Sequence, residues 1–100
     1  MKQYRQGDLL IIACRNIPKK LRKRQGAVVA TGEATGHSHR FDDSSSVALF
    51  DGPDGEVYAR VESGASLTHE EHDAIKLVPG SYRIVRQREF LRESADSVRD

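Results

Sequence analysis

Turn-forming residues divide this 100-residue chain into short segments, and their spacing is the feature that most limits its fold. Groups rich in Gly, Asp, Ser and Pro recur about every eight to twelve residues over much of the chain. The runs between them are apolar or β-branched and are too short for typical helices. We therefore predict an all-β protein, a small β-sandwich or barrel, with one short helical turn and a polar C-terminal tail.

The strands are expected where these runs alternate or are continuously apolar. Residues 47–62 predict a hairpin, because a loop of sequence DGPDG separates two such runs. Residues 1–91 are expected to form a single β-domain, and residues 92–100 a polar tail. The individual strands are predicted at residues 7–14, 27–41, 47–50, 56–62 and 81–90.

The four histidines of the chain fall into two pairs, His37 with His39 and His69 with His72. If residues 27–41 stay extended, residues two apart point to the same side, so His37 and His39 are expected to converge. A bulge or a sharp bend at Gly32 or Gly36 is the alternative. The only thiol of the chain, Cys14, lies in an apolar run and is expected to be a buried small hydrophobic residue.

The second pair lies in the sequence THEEH, which matches a helix capping box. Thr68 is the predicted N-cap and Glu71 the residue that closes the box. This predicts one helical turn that places His69 and His72 on the same side. Solvated surface histidines are the alternative for either pair taken alone.

Taken together, the pairs predict a transition-metal site with His37, His39, His69 and His72 as the metal ligands. Nitrogen donors without thiolate suit zinc first, with other transition metals as alternatives. Glu33 and Glu70 are the candidate catalytic carboxylates, as a general base or a partner of an imidazole. The predicted function is hydration or hydrolysis of a small-molecule substrate by a metal-bound water, with carbon dioxide as one example.

Two non-catalytic alternatives remain open: a metal-binding accessory module, and a nucleic-acid-associated protein using the basic loop at residues 15–26. The overall charge is only +1, so a uniformly basic nucleic-acid binder is excluded. Nucleic acid is therefore the less favoured partner. Its contacts would come from five bases of that loop, Lys19, Lys20, Arg22, Lys23 and Arg24.

The chain has one cysteine, no signal-peptide pattern and no apolar stretch that could span a bilayer. These features predict a cytoplasmic protein without membrane contact. A domain this small buries a limited core, so we expect a homo-oligomer.

The sequence GHSH (residues 36–39) resembles the H-x-H element of cupins, which are small β-barrels with a metal in the barrel mouth. Cupins carry a Glu shortly after the second His, where this chain has Asp42 and Asp43. The sequences GEATGHSHR, LTHEEH and GSYRIVRQREF more closely resemble a group of small uncharacterised bacterial proteins. That resemblance covers residues 5–90 and implies no assigned activity.

Overall fold

A computed structural model of the protein describes residues 2–32 and 36–86. These residues form an all-β fold. Strand formation follows the period-2 pattern of the sequence, since buried and partly exposed residues alternate along β6 and β8. The strands are β1 Gln3–Gln6, β2 Leu9–Cys14, β3 Arg22–Arg24, β4 Val28–Thr31, β5 Ser38–Phe41, β6 Val47–Asp51, β7 Val57–Val61, β8 Ala65–Thr68, β9 Ile75–Leu77 and β10 Gly80–Arg86.

These strands form two antiparallel sheets. The larger sheet has the order β1-β2-β10-β7-β6-β3, and the smaller one has the order β4-β5-β8-β9. The predicted hairpin at residues 47–62 is confirmed: β6 pairs with β7, and the Pro53–Gly55 turn joins them. The all-β fold class is confirmed as well.

A single cluster of apolar side chains from both sheets forms the core. Burying such side chains is the main stabilising contribution in a domain of this size. Its largest fully buried side chains are Leu9, Ile11, Leu49, Leu67, Leu77 and Ile84. Cys14 is only half-buried, at the far end of β2.

The segment from residue 27 to residue 41 differs from its prediction as one strand. It forms two paired strands, β4 and β5, so the chain reverses direction between them. The amide of Gly32 donates to the carbonyl of His37, and the amide of Gly36 donates to the carbonyl of Gly32. These bonds bring residues 32 and 37 together at the base of the hairpin, and Gly36 has a φ of 75° that favours glycine.

The predicted helical turn at His69 is not formed. Residues 69–74, all of them described, are a bend without helix that links β8 to β9. The capping-box prediction is wrong, because Thr68 ends β8 and its hydroxyl donates to the carbonyl of Arg40. The amide of Glu71 donates instead to the Nδ1 of His69.

Three predictions concern residues outside the described ranges. Glu33 lies outside them, as do the continuation of the last predicted strand to residue 90 and the polar tail at residues 92–100.

The basic loop at residues 15–26 contains strand β3, which pairs with β6. Within residues 2–32 and 36–86, no helix is long and apolar enough to cross a membrane.

Candidate functional site

Strand pairing brings the two histidine pairs together. β5 pairs with β8, with Arg40 opposite Thr68, so the chain before Arg40 lies beside the chain after Thr68. His69 is at the centre of the group. Its ring centroid is 5.6 Å from that of His37, 4.3 Å from that of His39 and 4.8 Å from that of His72. We call these four side chains the histidine cluster.

The turn between β1 and β2 forms one wall of the histidine cluster. Gly7 has a φ of 60°, in the left-handed region that favours glycine. A Cβ at this position would lie 2.8 Å from the Nε2 of His72 and 3.4 Å from the Cε1 of His39. Glycine is therefore favoured here for two reasons, the conformation of the turn and the close approach of two imidazoles.

His39 is the most deeply buried ligand candidate, with 6% of its side chain exposed. Its Nδ1 is 2.9 Å from the Oε1 of Gln6. The amide nitrogen of Gln6 donates to the carbonyls of Leu67 and Asp73, at 2.7 and 2.9 Å. Reversing the amide would place its oxygen against two carbonyl oxygens, so Oε1 must be the atom that faces His39.

It follows that the Nδ1 of His39 carries the hydrogen and donates it to Gln6. In the neutral ring, the Nε2 then has the lone pair that a metal needs. Burial lowers the pKa of His39, the nearby His69 and His72 lower it further, and the carboxylate of Asp8 partly offsets the decrease. Burial and the neighbouring imidazoles thus both favour the neutral, metal-binding form of His39.

His37 and His69 both contact Glu71, but in different ways. The Nδ1 of His37 is 2.8 Å from the Oε2 of Glu71, as in the carboxylate–histidine pairs that orient metal ligands. The Nδ1 of His69 instead accepts a hydrogen bond from the Glu71 amide at 3.0 Å. Neutral His69 therefore carries its hydrogen on Nε2, and metal binding through Nε2 requires this bond to break.

Glu70 joins the bend to strand β5. One carboxylate oxygen accepts the Ser38 amide at 2.9 Å, and the other accepts an Arg40 nitrogen at 3.2 Å. The hydrogen bond from the Ser38 amide is the main cause of its lowered pKa, so the group is ionised at neutral pH. A carboxylate with these partners is better suited to positioning or to metal ligation than to proton abstraction.

Three residues of the described chain bring possible ligand atoms close enough together to share a metal ion. Ligand atoms of His37, His69 and Glu70 all lie within 4.8 Å of one another. Tetrahedral zinc with bonds of about 2.1 Å separates its ligand atoms by about 3.4 Å. An ion bound by these three residues would therefore draw them closer together by as much as about 1.4 Å.

Two residues near the histidine cluster were not predicted as site residues. Gln6 ends β1, a segment without a clear strand pattern, and no signal in the sequence indicates its contact with His39. The Oδ1 of Asp8 lies 3.5 Å from the Nε2 of His39. Its position in a Gly-Asp pair before an apolar run indicates the start of a strand but not a site residue.

The basic loop contributes to a different part of the fold. β3 is an edge strand of the larger sheet, whereas His39 belongs to the smaller one. Arg24 pairs with Asp51 and donates to the carbonyls of Val28 and Val29. These contacts give Arg24 a structural role between β3, β6 and β4.

The chain belongs to a family described as a domain of unknown function, DUF8820, whose sequence profile matches residues 5–87. No curated protein and no solved structure matches the chain. The family assignment agrees with the resemblance to uncharacterised proteins, and it carries no activity.

Proposed function

We propose that this protein binds a transition-metal ion, zinc first among the candidates, in the histidine cluster. The observation that carries the proposal is the convergence of all four histidines, from two distant segments, with neighbouring ring centroids 4.3 to 5.6 Å apart. Four solvated surface histidines would have no reason to share one location on so small a domain.

The surroundings of two rings support the proposal. Gln6 accepts the Nδ1 hydrogen of His39, which leaves the Nε2 of that ring to act as a ligand atom, and the Oε2 of Glu71 lies 2.8 Å from the Nδ1 of His37. Such partners fix the ring orientation and the tautomer of metal-bound histidines in known sites. Imidazole and carboxylate donors without thiolate suit zinc, with nickel, copper, iron or manganese as alternatives.

The lone cysteine is not part of this donor set. Strand β2 begins at Leu9, next to the β1–β2 turn that borders the histidine cluster, and ends at Cys14. The five residue steps between these two ends span about 17 Å, so the thiol lies far from the cluster. Burial also raises the pKa of its thiol, which disfavours the thiolate form that metals bind.

A catalytic role is the second step of the proposal. His39 is 6% exposed and His37 is 30% exposed, and the neighbouring Glu71 is 64% exposed, so the cluster has a buried side and a solvent side. An ion held by only three protein ligands would keep a coordination position for water, whose pKa it would lower enough for hydration or hydrolysis. Carbon dioxide is the simplest test substrate, because its hydration needs no large binding pocket.

The test is zinc titration of the metal-free protein, followed by carbon dioxide hydration and ester hydrolysis assays of the zinc-loaded protein. We expect one or more tightly bound ions per chain and turnover that disappears when a chelator removes them. A variant of the basic loop, Lys19→Ala with Lys20→Ala, is the matched control and should keep both properties. Binding without turnover would contradict the catalytic step and favour a non-catalytic module, and absence of binding would contradict the whole proposal.

A further inference from the structure

We propose that Asp8 is a further metal ligand and that it binds the ion together with His39. The inference rests on the proposed metal-binding function and extends it to a residue for which the sequence pattern gave no such role. It is carried by the geometry between the β1–β2 turn and strand β5.

The first step is the identity of the atom that faces Asp8. Gln6 donates through its nitrogen to two backbone carbonyls, so it can only accept from His39. The hydrogen of the neutral imidazole is therefore on Nδ1. The Nε2, with its lone pair, is the atom that lies 3.5 Å from the Oδ1 of Asp8.

The second step is electrostatic. Two hydrogen-bond acceptors, a carboxylate oxygen and an imidazole lone pair, face each other where His39 is 94% shielded from solvent. In the neutral ring such an arrangement is unfavourable, and either a proton on Nε2 or a metal cation between the two atoms relieves it; Asp8 itself is 32% exposed, so an ion can reach the pair from solvent. Their separation of 3.5 Å is close to the distance of about 3.4 Å between two ligand atoms of tetrahedral zinc.

The third step concerns the other oxygen of Asp8. Arg86, at the end of β10, lies with its Nη1 3.4 Å from the Oδ2 of Asp8, and its Nη2 donates to the carbonyl of Thr31 at 3.3 Å. The guanidinium thus contacts only Oδ2, and Oδ1 is the oxygen that faces His39. As a positive charge beside the carboxylate, it also opposes the binding of a metal cation.

Two variants that break the ion pair between Asp8 and Arg86 should therefore have different effects on metal binding. Asp8→Asn removes the anionic ligand, and its amide can donate to the Nε2 of His39, so the zinc dissociation constant should rise at least about tenfold. Arg86→Gln removes the competing cation and keeps the carboxylate, so zinc affinity should be unchanged or higher. Both constants are measured by competition with a chromophoric chelator at one pH and ionic strength.

The outcomes separate this inference from the proposed function. Absence of zinc binding by the wild-type protein contradicts the proposed function. Binding that Asp8→Asn leaves intact, or that both variants weaken equally, contradicts the role of Asp8 alone, since an equal loss indicates that the ion pair has only a structural role.

A measurement on the metal-free wild-type protein tests the first step without any variant. Ring ¹⁵N chemical shifts should show His39 with its hydrogen on Nδ1 and an unprotonated Nε2. A hydrogen on Nε2, donated to Asp8, would overturn the inference even if the protein binds zinc.

Discussion

Substitution of Gly7 by Ala should weaken metal binding more than it weakens the fold. A residue with a Cβ in the left-handed region lowers the unfolding free energy of the protein by about 1 kcal/mol relative to glycine. The added Cβ would also lie 2.8 Å from the Nε2 of His72, where ordinary contacts begin at 3.4 Å. This ring must therefore retreat by about 0.6 Å to restore an ordinary contact, which exceeds the tolerance of about 0.2 Å in metal–ligand distances.

Gly26→Ala is the matched control, because Gly26 has a φ of 80° and no atom within 4 Å of the position of a Cβ. Both variants should lose about 1 kcal/mol, or about 4–8 °C in Tm for a domain of this size. Only Gly7→Ala should also raise the zinc dissociation constant, by about tenfold. Denaturant unfolding of the metal-free proteins and chelator competition measure the two effects. Equal zinc affinities of the two variants would refute the placement of the metal next to this turn.

Three further predictions concern the histidines. Replacing His37 and His39 together by Ala should abolish zinc binding, and full stoichiometric zinc in that variant, measured after dialysis, would exclude both residues as required ligands. Because burial lowers the pKa of His39 below its value of about 6.5 in the unfolded chain, the unfolded state takes up the proton first as the pH falls. The metal-free protein should therefore begin to lose unfolding free energy as the pH falls toward about 6.5, and the loss should continue until the pH is below the lowered pKa of folded His39. Asp8, His69 and His72 are the charged or titratable groups that act on His39. The loss should be smaller in His39→Gln, and an identical loss would argue against this assignment. Finally, if zinc binds the Nε2 of His69, the Glu71 amide loses its acceptor and should exchange its hydrogen faster, and unchanged exchange on zinc addition would show that this bond persists.

Local sequence signals predicted the features that depend on neighbouring residues. The alternation of residues 47–62 around an Asp- and Gly-rich loop was sufficient for the β6–β7 hairpin. The spacing of the turns was sufficient for the fold class. The grouping of the histidines along the sequence pointed to a shared location, and their rings are neighbours in the structure.

Features that depend on contacts between distant residues could not be predicted in this way. The glycines at positions 32 and 36 left open whether residues 27–41 stay extended or are interrupted by a bulge or bend, and they could not indicate that two separate strands, β4 and β5, pair with each other. The capping box at Thr68 failed because pairing of β8 with β5 supplied another partner for its hydroxyl. The contact of Gln6 with His39 spans 33 positions, and no local pattern encodes it.

The central claim is that the histidine cluster holds a metal ion, and metal analysis of the purified protein tests it most directly. Elemental analysis with protein quantification gives the number of ions per chain, for the wild-type protein and for His37→Ala with His39→Ala prepared in parallel. We expect at least one zinc or other transition-metal ion per wild-type chain and none in the double variant. A wild-type protein without stoichiometric metal, and without uptake from a zinc-supplemented buffer, would contradict the account.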